Sequence, residues 1–285
     1  MPDLTVAAIQ FAAAADPAGN LDTAERLVRK AAGAGARLIL LQELFESRYF
    51  CITEDPAHLA TARPFEGNPL IARFAALAGE LGVVLPIPFF EEAGQARFNS
   101  VAVADADGRV LGTYRKAHIP QGPGYEEKFF FSPGDTGFRV WDTAAGRIGV
   151  GICWDQWFPE SARVMALMGA EILLYPSAIG SEPEAPDWDS QPHWETVMRG
   201  HAGANLMPLV ASNRVGTEIQ GGRTVTFYGS SFVADATGRI VAKGGRESEE
   251  IVLATLDMDA AAELRRSWGL FRDRRPDLYG RIGAF

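Results

Sequence analysis

The chain is poor in cysteine and histidine and carries no excess of positive charge. Its two cysteines, Cys51 and Cys153, form neither a disulfide framework nor a Cys-x-x-Cys site. With so few thiols, the expected compartment is the reducing cytoplasm. Lys and Arg number 27 against 36 Asp and Glu, a net charge of −9. That balance argues against nucleic acid as a main partner and is compatible with a small cationic substrate. No run of about 18 apolar residues occurs, so no membrane partner is expected. The opening stretch, Met1-Pro2-Asp3-Leu4-Thr5-Val6-Ala7-Ala8-Ile9-Gln10, enters an apolar strand without the blocks of a signal peptide.

What is present is an α/β pattern. The 285 residues are 47% hydrophobic, enough for one large domain or two small ones. Strands are predicted at 4–11, 37–42, 83–89, 100–104, 110–115, 147–152, 171–175, 209–212, 230–234 and 251–256. Helices are predicted from a cap at Asn20 to about 34, from Asn68-Pro69 onward, at 159–168 and at 193–206. Two loops, 116–137 and 176–192, are long. Val103-Ala104-Asp105-Ala106-Asp107-Gly108-Arg109-Val110 is echoed by Val233-Ala234-Asp235-Ala236-Thr237-Gly238-Arg239-Ile240. Gly35-Ala36-Arg37-Leu38-Ile39-Leu40 is echoed by Gly169-Ala170-Glu171-Ile172-Leu173-Leu174. Two similar halves follow, packed as a four-layer α-β-β-α sandwich. No linker separates them, so residues 1–285 read as a single domain. From Trp268 the periodicity lapses, and 268–285 reads as a C-terminal arm docked on a surface, its own or a neighbour's.

The chemistry centres on Gly151-Ile152-Cys153-Trp154-Asp155-Gln156-Trp157-Phe158-Pro159-Glu160. An apolar strand ends, a cysteine follows, and Pro159-Glu160 opens a helix. A thiol on such a turn stands clear of its backbone, near N–H groups that can meet an oxyanion. The competing reading, a buried core cysteine, is equally good on this stretch alone. The usual base would be histidine, but His58, His118, His193 and His201 sit in no Cys–His signature and read as structural. Two other charged residues end strands. Glu43 follows Leu40-Leu41-Gln42, where desolvation suits a carboxylate to proton transfer. Lys116 closes the strand at 110–115, where an ammonium can stabilise an oxyanion. A surface acid and a solvated lysine are the plain alternatives.

Taken in this order, Glu43, Arg115-Lys116-Ala117-His118-Ile119-Pro120 and Gly151-Ile152-Cys153-Trp154-Asp155 resemble the nitrilase superfamily of carbon–nitrogen hydrolases. The segments Gly122-Pro123-Gly124-Tyr125-Glu126-Glu127-Lys128-Phe129, Ala178-Ile179-Gly180-Ser181-Glu182-Pro183, Gly200-His201-Ala202-Gly203-Ala204-Asn205 and Trp268-Gly269-Leu270-Phe271-Arg272-Asp273 extend the resemblance over nearly the whole chain. It implies Cys153 as nucleophile, Glu43 as general base and acid, and Lys116 as oxyanion donor. It also implies Glu127 as a second acid that orients the site, the Trp154 N–H as the other oxyanion donor, and neither metal nor cofactor. The expected substrate is a small cationic ureido compound, N-carbamoylputrescine. Its hydrolysis to putrescine, carbon dioxide and ammonia would end a route from agmatine to polyamines. Within the acidic loop 181–189, Glu182 is the expected anchor for the substrate's ammonium; a solvated acidic rim is the alternative. Tyr49, Trp154 and Trp157 are expected to wall the pocket, unless they are plain packing. Rival functions are a carbamoyl-β-alanine or ω-amide hydrolase, whose carboxylate-tailed substrates want a basic pocket, and a non-catalytic scaffold. Val164, Met165, Leu167 and Met168 on the helix after Cys153, with the arm, point to a homo-oligomer, a dimer or an assembly of dimers. Cys51 reads as packing.

Overall fold

The period-2 alternation of the first strand decides how the chain is layered. In β1 (Leu4–Gln10), Leu4, Val6 and Ala8 join one apolar cluster while Ala7 and Ile9 join another. A strand buried on both faces separates two layers. The computed structural model describes residues 3–284, so Met1, Pro2 and the arm's last residue, Phe285, lie outside the described residues.

The first half continues with α1 (Pro17–Gly33) and β2 (Leu38–Leu40). The cap of α1 is Asp16, whose carboxylate accepts from the N–H groups of Ala18 and Gly19. This corrects the expected cap at Asn20. Pro17 suits the first helical turn, and Asn20 is buried inside the helix, bonded to Ala14 and to the Glu46 carbonyl. α2 (Pro69–Leu81) starts where Asn68-Pro69 predicted, with Asn68 accepting from Leu70 and Ile71. β3 (Leu85–Ala93), β4 (Ala96–Ala104) and β5 (Val110–Arg115) complete this half, and α3 (Glu127–Phe130) is a single turn in the loop that follows. The second half comprises β6 (Val140–Thr143), β7 (Gly146–Val150), α4 (Pro159–Leu167), β8 (Ile172–Pro176), α5 (Gln191–Asn205) and β9 (Leu209–Ser212). A hairpin of β10 (Val215–Gln220) and β11 (Arg223–Tyr228) precedes β12 (Phe232–Ala234), β13 (Ile240–Lys243), β14 (Glu250–Leu256) and α6 (Met258–Ser267).

One sheet runs β13-β12-β9-β8-β7-β6. The other runs β14-β1-β2, joined through a parallel bridge between Leu38 and Val84 to β3-β4-β5. β1 and β7 each lead into a helix, α1 and α4, and each carry an antiparallel neighbour on the outside, β14 and β6. The sequence echoes are structural repeats. Gly35 and Gly169 take left-handed φ of +99° and +94° after α1 and α4. Asp105 and Asp235 make the same turn, each N–H donating 2.9 Å to the carbonyl of Arg109 or Arg239. β1 and β2 pack across β9, with α1 and α2 outside one sheet and α4 and α5 outside the other. This is a four-layer α-β-β-α sandwich of two similar halves.

β2 and β5 run the same way, because β4 is antiparallel to both β3 and β5 while β3 enters parallel to β2. Their C-terminal ends open on one edge. The Glu43 N–H donates 3.3 Å to the Ser177 carbonyl just past β8, so the second sheet brings its strand ends to the same place.

In the arm, Phe271 docks between the guanidiniums of Arg163 and Arg265, 5.0 and 4.5 Å from its ring centre. Leu278, further along the arm, is 65% exposed. Met165 on α4 points into the core, whereas Val164, Leu167 and Met168 are exposed. Among the described residues no helix is long and apolar enough to cross a membrane.

His201 is buried on α5 with Nδ1 3.1 Å from the Tyr175 hydroxyl, and burial pushes its pKa down to about 4. Between about pH 6.5 and 4 the unfolded chain therefore binds a proton there that the folded chain does not. That stability is fully present above about pH 6.5 and is lost as pH falls through about 4, roughly 3 kcal/mol in all. Denaturant midpoints at pH 7 and pH 4.5 should accordingly fall further for the native protein than for His201→Leu; equal falls would contradict this.

Candidate active site

Each half contributes strand ends to one cluster. β7 stops at Val150, and the chain makes a tight turn at Cys153–Trp157 before Pro159 starts α4. Cys153 takes φ of +41°, a left-handed conformation uncommon outside glycine. Asp155, fully buried, holds that turn. Its Oδ2 accepts from the Ile152 N–H at 2.9 Å and from the Tyr114 hydroxyl at 2.7 Å. Its Oδ1 accepts from the His118 N–H at 3.0 Å and lies 2.7 Å from His118 Nδ1. One carboxylate thus ties the cysteine turn to the chain on both sides of Lys116.

Lys116 follows β5 directly and is 1% exposed. Its Nζ donates to Glu127 Oε2 at 2.7 Å and to Glu43 Oε1 at 2.9 Å. Burial works to lower its pKa, but the carboxylates of Glu127 and Glu43 more than offset that, and the ammonium stays charged. Glu127 sits on α3, where burial raises its pKa to about 7 against the pull of Lys116. The Tyr49 hydroxyl donates to Glu127 Oε1 at 2.6 Å. Asn99 on β4 serves two partners. Its Nδ2 donates to Glu43 Oε1 at 2.6 Å and its carbonyl accepts from the Lys116 N–H at 2.8 Å. Glu43 Oε2 is buried and has no hydrogen-bond partner among the described residues. Burial, then the Glu43 charge, pushes the Cys153 thiol well up, with Lys116 and the Ala178 N–H pulling the other way. At neutral pH the sulfur is therefore a thiol that needs a base.

A cavity of about 150 Å³ opens on this cluster. Cys153, Trp154, Glu127, Tyr125, Ile179 and Glu182 are among its walls, and among the described residues no Lys or Arg lines it. Glu182 is partly buried, burial raises its pKa, and among the described residues no cation pairs with it. Trp154 is 37% exposed at the cavity wall. Two expected walls are placed elsewhere. Tyr49 is buried beneath the site with its hydroxyl on Glu127, and Trp157 packs against Trp154 and His193. The four histidines are all tied to other groups: His58 stacks on Phe50, His118 meets Asp155, His193 meets Trp157 and His201 meets Tyr175. A larger hollow of about 390 Å³, under α6 and Phe271, holds none of these site residues.

A carbon–nitrogen hydrolase family profile matches residues 5–266. The chain belongs to the carbon–nitrogen hydrolase family. Over 97% of its length it is 57% identical to N-carbamoylputrescine amidase of Solanum tuberosum, of which it covers 93%. It is 50% identical to citrullinase of Francisella tularensis, over 99% of both chains. A carbon–nitrogen hydrolase structure from Helicobacter pylori superposes with a TM-score of 0.92 at 42% identity, over 98% of each chain.

In this carbon–nitrogen hydrolase, Asn99 and Asp155 are the site residues that sequence reading passed over. Asn99-Ser100, a buried polar pair between Phe98 and the apolar run Val101-Ala102-Val103-Ala104, was the available signal. Asp155→Ala would leave the Ile152 and His118 N–H groups and the Tyr114 hydroxyl buried without their acceptor. The expected loss is roughly 3 kcal/mol or more of stability, read as a lowered denaturant midpoint; an unchanged midpoint would contradict the clamp.

Proposed function

We propose that this enzyme hydrolyses N-carbamoylputrescine to putrescine, carbon dioxide and ammonia, the closing step of an agmatine route to polyamines. The observation that carries the chemistry is the unpartnered, buried Oε2 of Glu43 in the same cluster as a thiol with a raised pKa. That oxygen takes the Cys153 proton, and the sulfur attacks the ureido carbon. Lys116 has three N–H donors; two are held by Glu43 and Glu127, and the third, with the Trp154 N–H, meets the oxyanion. Glu43 returns its proton to the departing nitrogen, leaving a thioester-type intermediate on Cys153. Water, deprotonated by Glu43, then attacks the thioester carbonyl. The Cys153 sulfur departs and takes that proton back from Glu43, and the resulting carbamate breaks down to carbon dioxide and amine.

The cavity supports a cationic tail. Its acidic walls are Glu127, paired with Lys116, and Glu182, which has no counter-ion among the described residues. A primary ammonium supplies that counter-ion. The 50% identity to a citrullinase favours a second reading. Citrulline has the same ureido group and chain length, with a carboxylate on the carbon that bears the ammonium. That carboxylate would lie beside Glu182, with which no cation pairs among the described residues, so the decarboxylated substrate is preferred.

Ammonia release from N-carbamoylputrescine, citrulline and carbamoyl-β-alanine, side by side, tests this. The first should dominate, and Cys153→Ala and Glu43→Gln should each abolish it. Faster release from citrulline would keep the chemistry and discard the tail assignment. Glu182→Gln should raise KM for N-carbamoylputrescine about tenfold, the equivalent of roughly 1.4 kcal/mol, with kcat little changed; an unchanged KM would place the anchor elsewhere.

Self-association is proposed on the same footing. Val164 and Leu167 on α4, Met168 at its C-terminal end, and Trp268, Leu278 and Ile282 of the arm are exposed and apolar. Sedimentation of a species no heavier than the 30.8 kDa chain would contradict it.

A further inference from the structure

The two halves part company at one connection. In the first, β3 passes directly into β4 through the Gly94 turn; in the second, the hairpin β10–β11 is inserted between β9 and β12. A buried ion pair stands at the base of this extra hairpin. Arg214 Nη1 donates to Glu218 Oε1 at 2.7 Å and to the Ser47 carbonyl at 3.0 Å. Its Nη2 donates to the carbonyls of Glu43 at 3.1 Å and Leu44 at 2.9 Å. The guanidinium lies 5.3 Å from the Phe227 ring centre on β11. Glu218 Oε2 accepts from the Tyr49 N–H at 2.6 Å.

The pair therefore grips both ends of residues 43–49. One end is Glu43, followed by Leu44 at a left-handed φ of +49°. The other is Tyr49, whose hydroxyl orients Glu127. A buried ion pair is weak evidence for stability, because desolvation offsets the attraction, and an apolar pair could fill the same space. The directed contacts are informative: three of Arg214's four bonds, and one of Glu218's two carboxylate oxygens, go to main-chain groups of this one segment.

We propose that Arg214 and Glu218 are positioning residues for hydrolysis, acting through the main chain of Glu43 and Tyr49 to set both carboxylates against Lys116. The inference rests on the reading of Glu43 as the base of Cys153. It adds that the active site of the sandwich is completed by an element the repeated half lacks.

The test uses Glu218→Ala and Glu218→Gln in the full chain. Three properties are read: alkylation of the Cys153 peptide by iodoacetamide as a function of pH, which needs no substrate; kcat and KM for N-carbamoylputrescine; and thermal unfolding. The groups facing Glu127 are Lys116, Glu43, Tyr49 and Cys51, and those facing Cys153 are Glu43, Lys116, Glu127, Tyr49, Tyr125 and Tyr228. In folded Glu218→Ala, kcat should fall on the order of 100-fold with KM unchanged, as misplacement by about 1 Å produces. Alkylation at neutral pH should slow, because a displaced Glu43 no longer takes the thiol proton, and its pH profile should shift, because the Glu43 charge that acts on the thiol has moved. Glu218→Gln retains an acceptor for the Tyr49 N–H and should recover most of the loss. A folded Glu218→Ala with native kcat and a native alkylation profile would overturn the proposal. A shifted profile in a protein that never turns over N-carbamoylputrescine would support the positioning role and remove the substrate assignment. A native profile in that same inactive protein would overturn both. Should Glu218→Ala fail to fold, Arg214→Lys keeps the charge and loses the fork to the Glu43 and Leu44 carbonyls. The same fall in kcat and the same shift are then expected, and native values would overturn the proposal.

Discussion

Everything at the site depends on one fully buried ammonium held between two carboxylates. Lys116 is within hydrogen-bond distance of Glu43 and Glu127, and all three are cut off from solvent. Charges taken out of water are expensive unless each is paired and hydrogen-bonded. Here one cation faces two acids, so the cluster needs further donors. Asn99 supplies one to Glu43 and Tyr49 one to Glu127. The remaining imbalance shows as the raised pKa of Glu127 and as the empty oxygen of Glu43. In an inert core that oxygen would be a defect. Beside a thiol pushed up by burial it is where a proton can go.

The fold exists, in this view, to bring strand ends together from two directions. β2 and β5 deliver Glu43 and Lys116 from one sheet, and β7 delivers Cys153 from the other. Asp155 links the β7 turn back to the chain around Lys116, and Ser177 links the end of β8 to Glu43. Repeating one α/β unit twice yields the sandwich. The site itself is asymmetric, because each half supplies different residues and only the second carries the β10–β11 hairpin.

Much of this was legible beforehand. The paired echoes around Gly35 and Gly169, and around Gly108 and Gly238, reported real repeats because turn chemistry and left-handed glycines are local properties. Strand ends were legible too, since an apolar run that stops at Glu43 or Arg115-Lys116 leaves a charged residue at the edge. The β10–β11 hairpin was missed although Gly221-Gly222, both at positive φ, marks its turn. Its strands are short, and Thr, Glu, Gln and Arg interrupt their apolar residues. Asp16 beat Asn20 as helix cap because Pro17 can open a helix and Asn20 had buried partners far along the chain. The roles of Tyr49, Asn99, Asp155, Arg214 and Glu218 rest on contacts between distant segments, which no local pattern encodes.

The central claim is that Cys153 carries the substrate's carbonyl carbon as a thioester-type intermediate. Peptide-mapped mass spectrometry of enzyme acid-quenched during turnover of N-carbamoylputrescine tests it most directly. The account predicts an adduct on the Cys153 peptide that disappears as substrate is exhausted. Continued turnover by protein whose Cys153 is fully alkylated would contradict it.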